Sequence, residues 1–169
     1  MASGCLGLIT FPRLPGRVSA EQLDARYPRL LPTLVAHPGI GFVLVRSEAR
    51  GPVVLAARGV RVLDTGAVEG EDPLMPFGPN AAAHVARTDR FAHCPDLVVN
   101  STYWEETGEV AAFEELVGSH GGMGGSQSCP FVLAPARFAA PAERIVGAEA
   151  LHRTLRGWLA DLGHDRFAG

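Results

Sequence analysis

The residues best equipped for chemistry gather in one short stretch, Gly118-Ser119-His120-Gly121-Gly122-Met123-Gly124-Gly125. Glycine admits positive φ and lets backbone approach a ligand closely. A histidine held among glycines can bind a metal through one ring nitrogen while the other is oriented by an acceptor. The backbone of Gly121, Gly122, Gly124 and Gly125 is a candidate cradle for a phosphate or cofactor, and His120 is the candidate catalytic group. Glu115, beside Glu114, is placed to serve as its general acid or base partner. The bland alternatives are a tight solvent turn with an incidental histidine, and an acidic pair on a solvated helix face. The stretch is not a P-loop, because no Gly-Lys-Ser/Thr follows and the chain has no lysine to reach a phosphate.

Other ligand-type residues precede a single apolar run. Arg87-Thr88-Asp89 and His93-Cys94-Pro95-Asp96 stand just before Leu97-Val98-Val99-Asn100. Together with His120, the side chains of Asp96 and His93 would give zinc the three protein ligands that a catalytic site needs. His84 and Asp89 are further donors. Against this, Asp96 stands at the start of its strand, and Asp89 and Asp96 are also natural turn caps, with His84 on a helix surface. Cys94 beside His93 is a candidate activated thiolate, although neighbours in an extended segment point apart.

The elements that must position these groups alternate between strands and helices. Cys5–Phe11 is an apolar run ended by Pro12 and reads as a buried strand. Ser19 is placed to N-cap a helix with Glu21, Gln22 and Asp24 in its first turn. Leu23, Tyr27, Leu30, Leu31 and Leu34 line one face of it, and Pro28 and Pro32 kink or break it. Gly41–Arg46 and Pro52–Ala57 predict a hairpin, which Arg58–Leu63 extends. Val68–Pro79 reads as irregular, Pro79–Arg87 as a short helix, Asp96–Asn100 as a buried strand and Phe131–Ala134 as another. Val110–Val117 leads into the Gly-rich turn. Gly147–Leu162 is the clearest amphipathic helix, with Leu151, Leu155, Trp158 and Leu162 on one stripe. This mixture predicts a single α/β domain over residues 1–169, built on a mixed β-sheet flanked by helices.

Composition bounds the partners. Apolar residues make up 47% of the 169, and charged residues 20%. That is ordinary for a globular chain of one-domain length. The 15 basic side chains nearly balance the 18 acidic ones, so no general attraction to nucleic acid is expected. No apolar stretch approaches a membrane span, and no signal-like leader is recognised. Cys5, Cys94 and Cys129 are odd in number and far apart, which fits reduced thiols in a cytoplasm. The mean hydropathy of +0.12 is slightly oily and fits a homo-oligomer or a partner chain.

The Gly-Ser-His-Gly-Gly segment resembles the last metal-binding histidine segment of the alkaline phosphatase superfamily, in its type I phosphodiesterase/nucleotide pyrophosphatase-like branch. His37–Ser47, Gly70–Pro73, Pro76–Asn80, Asp96–Ser101, Ala112–Gly122 and Ile145–Ala150 also resemble the C-terminal third of large actinobacterial members, in the same order. The resemblance implies a mixed sheet with two zinc ions at strand ends. There, paired metals stabilise the attacking and leaving oxygens of an in-line displacement. Residue by residue, it carries over only His120 as a metal ligand. The family's nucleophile and its other ligands would lie upstream of Met1.

Three functions follow as expectations. One is a truncated, metal-dependent phosphoric ester hydrolase, with zinc on His120. The second is a non-catalytic or partner-dependent module. The third is a recruited small biosynthetic enzyme, a lyase, isomerase or cyclase, working on a small molecule by acid–base chemistry near His120, since fold does not dictate reaction.

Overall fold

A computed structural model describes residues 1–115, 120–139 and 141–164. They fall into two compact units, Met1–Pro130 and Phe131–Gly169.

The first unit begins with β1 (Ala2–Ser3) and β2 (Leu6–Ile9), followed by α1 (Ala20–Arg26) and α2 (Leu30–Ala36). Ser19 caps α1 as its sequence predicts. Its Oγ accepts from Gln22 N at 3.1 Å, and the Gln22 side chain accepts in turn from Ser19 N at 3.3 Å. This reciprocal box satisfies two of the helix's orphan donors. The Ser19 hydroxyl also donates to Glu48 at 2.7 Å. Ser19→Ala is therefore expected to lower stability by about 1–2 kcal/mol, read as a lower midpoint in thermal unfolding. Pro28 separates α1 from α2, whereas Pro32 sits within the first turn of α2, where its missing N–H costs little.

The chain continues through β3 (Ile40–Ser47), β4 (Gly51–Ala56), β5 (Gly59–Val62) and β6 (Val68–Gly70), then α3 (Ala81–Asp89) and β7 (Leu97–Ser101). A small hairpin, β8 (Tyr103–Trp104) with β9 (Glu109–Val110), follows. The main sheet runs β1-β2-β7-β3-β4-β5-β6. Every pairing between its strands is antiparallel, which corrects the expected mixed sheet. The reason lies in the connections. Short links make hairpins of β3 to β6, and β7 inserts antiparallel between β2 and β3, which would otherwise be parallel neighbours. Pairing at β6 also places a strand at the start of the stretch expected to be irregular.

Both faces of this sheet are covered, so its central strands are apolar at successive positions rather than at alternate ones. Val43, Val45, Val53, Leu97 and Val99 face α1 and α2 together with Val18 and Leu23. Phe42, Leu44, Val54 and Val98 face α3 and a 3-10 turn at Met75–Phe77. On that side Phe77 meets Phe42 edge-to-face, 5.1 Å between centroids. The strand β7 is buried along its whole length, and each of its ends carries one of the polar clusters described below.

The second unit contains α4 (Gly147–Asp161). Trp158 stacks on Phe138 at 5.2 Å and donates its indole N–H to Ala139 O at 3.2 Å. The expected strand at Phe131–Ala134 does not form. Phe131 and Leu133 are 88% and 91% exposed, and among the described residues none of Phe131–Ala134 is paired in a strand. Among the described residues, no helix is long and apolar enough to cross a membrane.

Candidate functional site

The Gly-rich turn docks at the C-terminal end of β7, against the tight turn between β1 and β2. Gly4 makes that turn with φ +56°, and a Cβ there would run into the His120 backbone. Cys5 follows, fully buried. Its N–H donates to His120 O at 3.1 Å, and its Sγ lies 3.3 Å from the same oxygen. The sulfur also accepts from Gly122 N at 3.2 Å and sits 3.2–3.3 Å from both side-chain amide atoms of Gln127.

Asn100, 1% exposed, completes the fastening. Its Oδ1 accepts from Met123 N at 2.7 Å, and its Nδ2 donates to Met123 O at 3.0 Å. The side-chain amide thus pairs with one residue's backbone as a neighbouring strand would. Gly122 approaches so closely that a Cβ would lie 2.6 Å from Asn100 Oδ1 and 2.9 Å from Cys5 Sγ. Gly124 N donates to Ser128 Oγ at 3.1 Å.

These contacts assign the glycines a packing role. The N–H groups of Gly122, Met123 and Gly124 are all spent on the protein itself. Gly121 and Gly125 likewise lie close against Ser3 and Gly108. His120 remains exposed at the rim while its backbone is pinned. Glu115 is exposed as well, and Glu114 Oε1 accepts from Gly4 N at 2.7 Å. Gly118 and Ser119, the first residues of the motif, and Leu116 and Val117 before them lie outside the described residues.

Asp96 and His93 are at the other end of β7. Five residue steps of a strand span about 16 Å, so the structure does not bring them to His120. Asp96 is 3% exposed, and both its oxygens are occupied. Oδ2 accepts from Phe11 N at 2.7 Å and Oδ1 from Val18 N at 2.7 Å. The carboxylate clamps both ends of the loop between β2 and α1. His93 is exposed.

Asp89, at the last turn of α3, is buried beside this clamp. Its carboxylate meets Arg17 Nη1 at 2.6 Å and Arg46 Nη2 at 2.9 Å. Burial pushes the carboxyl up, but the hydrogen bond from Arg46 and the charge and hydrogen bond of Arg17 outweigh it and hold the group below the usual carboxylate range. Cys94 is half-buried, and burial pushes its thiol up, which makes it a weaker nucleophile rather than an activated one.

Among the described residues, no group of three or more His, Cys, Asp or Glu side chains is arranged to hold a metal ion. The donors that zinc would need do not fit around His120: Asp96 is turned to backbone N–H groups, and His93 is at the far end of the strand. Comparison with protein-family models, curated proteins and solved structures finds no match for the chain.

Sequence reasoning missed Cys5, Asn100 and Gln127. Only Asn100 carried a signal. An amide at the end of an otherwise apolar strand must find partners when buried.

Proposed function

We propose that this chain is a partner-dependent module that holds His120 at the end of β7 for a site completed by another polypeptide segment. The resemblance of Gly118-Ser119-His120-Gly121-Gly122 to alkaline phosphatase-like hydrolases supports a site of phosphoric ester chemistry. One observation carries the reading. The His120 backbone is held by contacts to buried Cys5, its ring is exposed, and no group of three or more His, Cys, Asp or Glu side chains among the described residues is arranged to hold a metal ion. A group positioned through its backbone, with its ring left free, is what a composite site requires from one contributor.

The test has two parts. The purified chain is expected to hold no stoichiometric zinc and to leave a phosphodiester such as bis(4-nitrophenyl) phosphate intact. Stoichiometric zinc that disappears in His120→Ala would overturn the module reading and restore the self-contained hydrolase. A photo-crosslinking residue placed at position 120 is expected to give one discrete adduct in cells, with a second copy or with a segment outside residues 1–169. The same residue at exposed Gly16 is expected to give none. Equal, diffuse labelling at both positions counts against a docking role for the rim.

A further inference from the structure

We infer that residues 120–128 form a strap that opens and closes over Cys5 independently of the sheet beneath it. For its consequence at His120 this rests on the reading above; the strap itself does not.

The fastening is polar and local. Cys5 holds the strap through its N–H and sulfur, Asn100 clasps Met123 from both sides, and Ser128 closes the segment on Gly124. Gln127 seals the sulfur from the other side. The strap's apolar anchorage is small, with Gly124 and Gly125 backing onto Tyr103 and Val110 through backbone alone. Of its side chains only Met123 packs against a core cluster, and it does so partly buried. The remaining residues are glycine, serine, glutamine and the exposed His120.

The sheet below is different. Val98 and Val99 of β7, and Phe42 to Val45 of β3, are nearly or fully buried. Lifting the strap breaks a handful of hydrogen bonds and frees little apolar surface, whereas unfolding the sheet exposes both cores. Segments of this kind open sub-globally, at a smaller free energy than global unfolding. The open state withdraws His120 from the strand end and uncovers a thiol that is otherwise 0% exposed. Cys5 therefore reports the position of the strap.

The test is alkylation of the full chain with iodoacetamide, followed at each cysteine by mass spectrometry. Exposed Cys129 is the fast internal reference. Cys5 is expected to react slowly, at a rate nearly independent of urea below the unfolding transition, because local opening exposes little surface. Asn100→Ala, which removes the two-sided clasp, is expected to speed Cys5 alkylation about tenfold or more. Gln127→Ala provides a milder version should the Asn100 variant not fold. Leu23→Ala weakens the core on α1 without touching the strap and is expected to leave the Cys5 rate unchanged. His120→Ala is also expected to leave it unchanged, since only the His120 backbone touches Cys5.

A Cys5 rate that rises with urea in step with global unfolding, or that accelerates in Leu23→Ala, overturns the strap. So does an unchanged rate in both the Asn100 and Gln127 variants. Because the ring of His120 plays no part in this measurement, the strap can stand if the crosslinking test fails, and can fail if that test succeeds.

Discussion

Asp96→Ala is expected to destabilise the protein by about 3 kcal/mol, seen as a lower urea midpoint in far-UV circular dichroism. Leaving a buried donor without its acceptor costs about 1–3 kcal/mol per group, and this substitution orphans two. Val18 N is fully enclosed, since Val18 is 0% exposed, and it has the higher cost. Phe11 is half-buried, so its N–H recovers some water. Asp96→Asn is expected to cost nearly as much, because the amide offers one acceptor oxygen and turns an N–H₂ toward the other donor. His93→Ala, on an exposed side chain, is expected to stay within about 0.5 kcal/mol of the parent. If Asp96→Ala changed stability by less than 1 kcal/mol, roughly the net worth of a single hydrogen bond, the loop between β2 and α1 would have to be held by its other contacts.

The same residue shows where sequence reading succeeds and where it stops. Local physics was legible. Ser19 before Glu21, Gln22 and Asp24 announced the cap, Pro28 announced the break between α1 and α2, and the apolar runs at Gly41–Arg46 and Pro52–Ala57 announced β3 and β4. Each of those signals is carried by residues within a few positions of one another. The function of Asp96 depends on partners 85 and 78 residues away, and that of Cys5 on partners 115 to 122 residues away. No period or spacing encodes such pairings. An aspartate before a strand looks the same whether it binds a metal or closes a loop. Phe131–Ala134 shows the converse. Its β-type composition is genuine, but a strand needs a neighbour to satisfy its backbone, and composition does not supply one. The Gly-rich turn stood out in the sequence by its composition. Among the described residues, Gly121 and Gly122 prove to pack against Ser3, Cys5 and Asn100, and Gly124 and Gly125 against Tyr103, Val110 and Gly108, while the His120 side chain stays exposed.

The two ends of β7 thus divide the labour. The start of the strand, with Asp96 and Asp89, ties the loop before α1, the end of β3 and the end of α3 together. Its far end holds the strap and His120. This arrangement separates stability experiments from functional ones. Substitutions at Asp89 and Asp96 are expected to act on unfolding, and substitutions at the His120 ring on the proposed composite site alone. A variant that moves both at once would argue against the division.

The second large effect is expected at Asp89, and it depends on pH. Asp89→Ala strips the shared carboxylate from Arg17 and Arg46. Breaking a buried ion pair by removing one partner costs about 3–5 kcal/mol. Arg46 is 49% exposed and rehydrates, whereas Arg17 is only 18% exposed and stays largely enclosed. The expected loss is therefore toward the lower end, about 3 kcal/mol. Asp89→Asn keeps an acceptor but loses the charge, and serves as the comparison for acid titration. The folded carboxyl titrates below its ordinary value because the two guanidinium groups outweigh the effect of burial. A depressed folded pKa contributes stability that is complete above the unfolded value, about 3.9 for aspartate, and is lost as pH falls through the folded value. The gap in urea midpoint between parent and Asp89→Asn is accordingly expected to be constant from neutral pH down to about pH 5. It should then shrink steadily below the ordinary carboxylate range, as protonation makes the parent resemble the variant. A gap that widened on acidification would mean that burial, rather than the arginines, dominates at Asp89.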